Sequence, residues 1–194
     1  MKNYIWVFLF LGLSACTTSQ KINFDKLKND DRIYTGKVAI TLNGKTNKDV
    51  ACDLFLSVDL NPVTRISADG FYYFKSTRSS VNWGKIACLY TIGNEKSWVY
   101  HSFDLKKQKR ADENTVVTSF GKMTISWKFD DEQLQKPATK FANDNSDRIE
   151  NIGQFKVEST SNQEEQKTYL FEKFPELKDP KYKFVEKIFK QDDD

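Results

Sequence analysis

Val50-Ala51-Cys52-Asp53-Leu54-Phe55-Leu56-Ser57-Val58-Asp59-Leu60 alternates with a period of two. Val50, Cys52, Leu54, Leu56, Val58 and Leu60 share one parity, and their neighbours include Asp53, Ser57 and Asp59. Successive side chains of a strand point to opposite faces, so this pattern predicts a β-strand with one buried side and Cys52 on it. Asn61-Pro62 ends the run, since proline cannot donate to a ladder.

The same period extends in both directions. Upstream, Val38, Ile40 and Leu42 alternate with Lys37, Ala39 and Thr41, and Asn43-Gly44 follows as a hairpin signal. Downstream, Val63–Ala68 and Phe71–Ser76 read as strands separated by Asp69-Gly70. Lys85–Ile92 and Ser97–Phe103 read as a hairpin turning at Gly93-Asn94. Ile86, Cys88, Tyr90 and Ile92 share a face, so Cys88 is expected to point inward like Cys52. Thr115–Phe120 and Lys122–Phe129 read as another hairpin around Gly121, with Met123, Ile125, Trp127 and Phe129 on one parity. Ile152–Ser159 suits a strand, Lys167–Phe174 suits either a strand or a helix, and 106–114 and 133–147 read as polar loops.

Near the C-terminus the period changes. Asp179-Pro180 has the form of an N-cap followed by proline at the first helical position. Phe184, Val185, Ile188 and Phe189 then fall at i, i+4 pairs, which predicts a C-terminal helix. Lys181, Lys183, Lys187 and Lys190 surround that apolar side, so the helix would dock on the sheet or lie on an anionic membrane. The whole pattern predicts a mainly β domain: an antiparallel curved sheet or barrel-like domain of about eight strands with a C-terminal helix.

The first residues carry a different message. Lys2 precedes an uncharged run, Tyr4-Ile5-Trp6-Val7-Phe8-Leu9-Phe10-Leu11, which ends in Gly12-Leu13-Ser14-Ala15-Cys16. A basic start, a short apolar core and small residues before a cut site are the parts of a secretory signal. Roughly a dozen apolar residues are too few to span a ~30 Å hydrocarbon layer comfortably. Leu13-Ser14-Ala15-Cys16 resembles the lipobox of bacterial lipoproteins. That resemblance implies removal of residues 1–15, a diacylglycerol on the Cys16 thiol and frequent acylation of the new amine. Residues 16–31 would then be a lipidated tether, within which Phe24 and Leu27 suit a short helix, and residues 32–194 one globular domain. Thr17 stands where an Asp favours inner-membrane retention in diderm lipoproteins, so the resemblance places the protein at the outer membrane, facing the periplasm.

Cleavage would remove only Lys2 among the charged groups, leaving 29 basic and 27 acidic residues and a net charge of +2. So near a balance gives no case for binding nucleic acid in bulk. With Cys16 lipidated, Cys52 and Cys88 remain as an even pair in an oxidising compartment, where a disulfide is expected over two buried thiols.

Catalytic signals are sparse. His101 is the one histidine, and no nucleophile-elbow motif accompanies it. Asp30-Asp31, Asp130-Asp131 and Glu164-Glu165 could be paired carboxylates, but they sit beside turns or termini, where charged side chains are ordinary. Asp192-Asp193-Asp194 reads as a solubilising tail. No metal or cofactor is expected.

Phe71-Tyr72-Tyr73-Phe74 makes both faces of one strand aromatic. Either Tyr72 and Phe74 pack the core while Phe71 and Tyr73 face a second surface, or the reverse; that second surface is a ligand or partner contact or a face covered by a helix or loop. The lipidated start, the curved sheet and Tyr34-Thr35-Gly36-Lys37-Val38-Ala39 together resemble the lipoprotein-carrier family of the outer membrane, which implies a concave face that cradles acyl chains. The expectation is therefore a membrane-anchored envelope lipoprotein, not an enzyme, that binds an apolar ligand, a lipid or an envelope protein. The alternatives are a structural or assembly subunit of an envelope complex, or an unrecognised hydrolase.

Overall fold

The computed structural model describes residues 22–28, 30–57, 61–78, 80–92, 94–103, 109–110, 116–130, 132 and 149–188. Their strands are, in chain order, β1 (Arg32–Leu42), β2 (Lys45–Thr46), β3 (Ala51–Leu56), β4 (Thr64–Arg65), β5 (Phe71–Ser76), β6 (Ser80–Val81), β7 (Trp83–Ile92), β8 (Glu95–Ser102), β9 (Lys109–Arg110), β10 (Val116–Lys128), β11 (Ile149–Glu150), β12 (Gln154–Thr160) and β13 (Lys183–Glu186). One α-helix, α1 (Gln163–Lys173), lies between β12 and β13. The described residues are thus mainly β, with the helix α1 near the C-terminus.

Two sheets carry the fold. In the first, β1 and β10 run parallel, from Ile33 opposite Val117 to Leu42 opposite Trp127. On the far edge of β1, β5 pairs antiparallel with its first half and β2 with its last two residues. On the far edge of β10, β13 pairs parallel with its first half and β12 antiparallel with its second. The second sheet has the order β11-β8-β7-β3-β4. The sheets are mixed and do not close into a barrel.

The two sheets share one core, because each presents its apolar parity to the other. Tyr34, Val38, Ile40 and Leu42 of β1 and Tyr72 and Phe74 of β5 join Cys52, Leu54, Leu56, Trp83, Ile86, Cys88 and Val99 of the second sheet. Trp83 is the centre of an aromatic group: its ring lies 5.4 Å from Tyr72, 5.6 Å from Phe74 and 5.8 Å from Phe120, all edge-on. Each such fully buried side chain contributes roughly 1.5–3 kcal/mol. Gly36 sits opposite Tyr72, and a Cβ there would lie 2.1 Å from the Tyr72 hydroxyl. Only glycine leaves that ring its space.

Cys52 and Cys88 are directly opposite in the antiparallel pair β3–β7, with Cα atoms 4.1 Å apart and sulfurs at disulfide distance, 2.12 Å. Both lie in the core.

Three sequence expectations change. Gly121 does not turn the chain. It sits inside the single strand β10, at φ +70°, where the register against β1 skips one residue between Thr35 and Lys37. An extra residue in one strand reverses the parity that follows. Phe120 and Met123 therefore both reach the core, and the parity change that resembles two strands is one bulged strand. The helix expected after Asp179-Pro180 is also absent: Lys183–Glu186 is β13, held by parallel pairing to Val116–Ser119. Ladder bonds along an open strand edge outweigh two i, i+4 apolar pairs. The helix is instead Gln163–Lys173, overlapping the segment that suited either state. Finally, Ile22 lies within the stretch read as tether, yet it is buried. It packs with Phe24 and Leu27 around a 3-10 turn at Phe24–Lys26.

Val58 and Leu60, the signal segment with Cys16, the acidic tail, the 133–147 stretch and all of 106–114 except β9 lie outside the described residues.

Candidate functional site

Strand β5 is aromatic on both faces. Its even residues, Tyr72 and Phe74, enter the core between the sheets. Phe71 and Tyr73 point to the opposite face of the first sheet, where they are 7% and 5% exposed. What buries them is α1 and the turn after it. The Phe71 ring stacks on Tyr169 at 4.0 Å and 7° between planes, and Tyr73 meets Phe174 edge-on at 4.9 Å. Ile22, Ile33, Val117, Leu170 and Leu177 complete this second cluster. Of the two structures expected for this surface, the chain supplies the covering helix.

That cover is mostly polar. In α1 only Gln166 and Leu170 are buried. The Gln166 amide donates to the Gly121 carbonyl at 2.8 Å, so the helix docks on the bulge of β10. Its Oε1 is buried without a partner. Lys37 pairs with Glu165 and lies 4.6 Å over the Phe71 ring. Its hydrogen bond is the main cause that holds the Glu165 carboxyl below the usual range.

Two surface cavities stand at opposite ends of the first sheet. One, of about 600 Å³, is lined by Asn43, Gly44, Lys128, Phe129, Asp130, Gly153 and Gln154, where β1 and β10 end and β12 begins. Asn43 braces its floor, donating to the Phe129 carbonyl at 2.9 Å and accepting from the Phe129 N–H at 2.9 Å. Asn43 also adopts φ 47°, a turn conformation that asparagine tolerates. The other cavity, of about 470 Å³, lies beside Asp31, Lys75 and Arg78 at the start of β1. Asp31 is buried and accepts from Lys75 at 2.8 Å and from the Lys28 N–H at 2.9 Å. Burial pushes its pKa up, but these donors together outweigh it and leave the pKa lowered.

His101 is half-buried at a seam between the sheets. Its ring stacks on Phe155 at 3.8 Å and meets Trp127 edge-on at 5.6 Å. Its Nδ1 lies 2.8 Å from the Ser102 carbonyl, as a donor to that oxygen. Burial is the main cause that lowers its pKa, and the Ser102 carbonyl opposes it. The surroundings are aromatic packing, and among the described residues no serine hydroxyl or carboxylate is bonded to the ring.

Two of the carboxylate pairs are split between separate tasks, and Asp131 of the third lies outside the described residues. Asp31 is tied to Lys75 while Asp30 is exposed, and Glu164 pairs with Lys167 while Glu165 pairs with Lys37. Among the described residues no group of three or more His, Cys, Asp or Glu could hold a metal ion, and no helix is long and apolar enough to cross a membrane.

One polar contact escaped the sequence reading. Asp53, which alternation assigns to the wet face, is 5% exposed and takes a two-pronged contact from Arg65, at 2.8 and 3.1 Å. The cross-strand register of β3 and β4 brings the two opposite each other, which spacing alone does not reveal. Comparisons with protein-family models, curated proteins and solved structures find no match to this chain.

Proposed function

We propose that the chain is a lipid-anchored envelope lipoprotein whose β domain binds an envelope protein through its surface, without catalysis. The lipobox-like Leu13-Ser14-Ala15-Cys16 motivates the anchor, and Cys16 itself lies outside the described residues. One observation carries the choice of partner. Both aromatic faces of β5 are occupied by the chain's own side chains: Trp83 and Phe120 on the inside, Tyr169 and Phe174 on the outside. An acyl chain would have to displace one of these layers. A protein partner would not, and polar, open concavities such as the one at Asn43, Lys128 and Gln154 suit contact with another protein surface.

Photo-crosslinking in the native envelope tests this reading. A benzoyl-phenylalanine at exposed Lys128 or Gln154 is expected to trap one discrete protein, and the same group at exposed Glu176 is expected not to. Crosslinking to lipid alone from Lys128 and Gln154 would overturn it.

A further inference from the structure

We propose that the end of the domain carrying Phe24, Phe174, Lys178 and Tyr182 lies against the phospholipid headgroups, so that the molecule stands end-on and presents the Asn43–Gln154 end to the compartment. This deepens the anchored reading and rests on lipidation of Cys16.

Only residues 17–21 separate Cys16 from Ile22. At ~3.3–3.6 Å per residue, the six steps of that connection span at most about 22 Å, whatever its conformation. Ile22 is not free to trail outward. It is 7% exposed, in the cluster with Ile33, Leu170 and Leu177. The anchor is therefore held close to one identifiable part of the fold.

That part is the start of β1. Ile33 is the second residue of the strand, and α1 runs toward the same end. Glu165 meets Lys37, Tyr169 stacks on Phe71 opposite Lys37, and Phe174 meets Tyr73 opposite Thr35. Phe24 touches Phe174 at 5.3 Å and Tyr182 at 5.9 Å. The far end of the eleven-residue β1 leads into Asn43-Gly44, roughly 35 Å away at ~3.3 Å per residue. A tether of at most about 22 Å reaches the bilayer from the first end and not from the second.

The chemistry of the first end suits headgroups. Phe24, Phe174 and Tyr182 are half-buried, and Lys26, Lys178 and Lys181 are exposed around them. The Lys181 ammonium lies 5.1 Å over the Tyr182 ring. Half-buried aromatics and lysines with apolar stems are the residues that settle at a membrane interface. Glu176 and Asp179 interleave with the lysines, and Lys181 pairs with Asp179 at 3.4 Å, so the contact is one of amphipathic side chains held near by a short tether more than of net charge.

The test uses the full lipidated protein in vesicles of phosphatidylethanolamine and phosphatidylglycerol that include a headgroup-spin-labelled lipid. An encoded fluorescent residue replaces Lys178 in one variant and Gln154 in another, both exposed positions, with no new thiol beside the Cys52–Cys88 pair. Quenching at position 178 is expected to be several-fold stronger than at 154. Equal quenching, or stronger quenching at 154, in protein whose mass shows the lipid on Cys16 would overturn the orientation alone. A mass without lipid would overturn the anchored reading and the orientation with it.

Discussion

The two faces of strand β5 are built from the same residue types and held by different means. On the inner face, Tyr72 and Phe74 are 1% and 0% exposed among rings from both sheets, and the Cys52–Cys88 pair ties β3 to β7 in the same layer. On the outer face, Phe71 and Tyr73 are sealed by α1, which buries only Leu170 and Gln166, and by Phe174 in the turn after it. The inner layer rests on long-range strand pairing and dense aromatic contact. The outer layer rests on a few stacked rings and a small cluster of buried side chains, Ile22, Ile33, Val117, Leu170 and Leu177. Apolar composition alone does not set how firmly a face is held; what lies across from it does.

Truncation at the centre of the inner layer is the strongest way to test that difference. Trp83→Ala is expected to lower stability by about 3–5 kcal/mol, read as a shift of the denaturant midpoint. Reduction of the cysteine pair, 36 residues apart in sequence, is expected to cost roughly 3–4 kcal/mol in the chain-entropy description. Its check is the same titration with and without reductant. In the outer layer, Leu170→Ala is expected to cost about 2–3 kcal/mol. Amide exchange should show the contrast most clearly: protection falls in α1 while β3 and β7 keep theirs. An equal loss in β3 and β7 would make the two layers one cooperative unit and remove the distinction.

How much of this was legible in the sequence follows the same division. The inner layer was readable because period-two alternation assigns a face to each residue, so Cys52 and Cys88 could be placed inward before their pairing was seen. Alternation does not name a strand's neighbour, and the parallel pairing of β1 with β10 joins segments too distant for a turn to announce it. At Gly121 the rule misled, because a bulge reverses parity as a turn between two strands would. The outer layer was nearly silent. Gln163–Lys173 offers one buried apolar side chain, too little for an amphipathic signal, whereas the spacing of Phe184, Val185 and Ile188 mimics a helix although Phe184 and Val185 lie in the edge strand β13. Phe71 and Tyr73 were identifiable as facing a second surface; that Tyr169 and Phe174 fill it depends on where α1 crosses the sheet.

The smallest expected effect lies at the seam beside His101. Its pKa is lowered in the fold, chiefly by burial against Phe155 and Trp127. The unfolded chain therefore binds the proton more readily than the folded one. The contribution is present above the unfolded value of about 6.5 and is lost as pH falls from there through the folded value. Urea midpoints of the protein and of His101→Gln across pH 7.5 to 5 should converge toward the acid end. Parallel curves would place the ring in a solvent-like setting.

Native mass spectrometry of the protein taken from its own membrane tests the central claim most directly. The account predicts residues 16–194 carrying lipid on Cys16, two hydrogens lighter for the Cys52–Cys88 bond, with no further ligand retained. A chain that still begins at Met1, or one that carries a bound acyl chain besides its anchor, would contradict it.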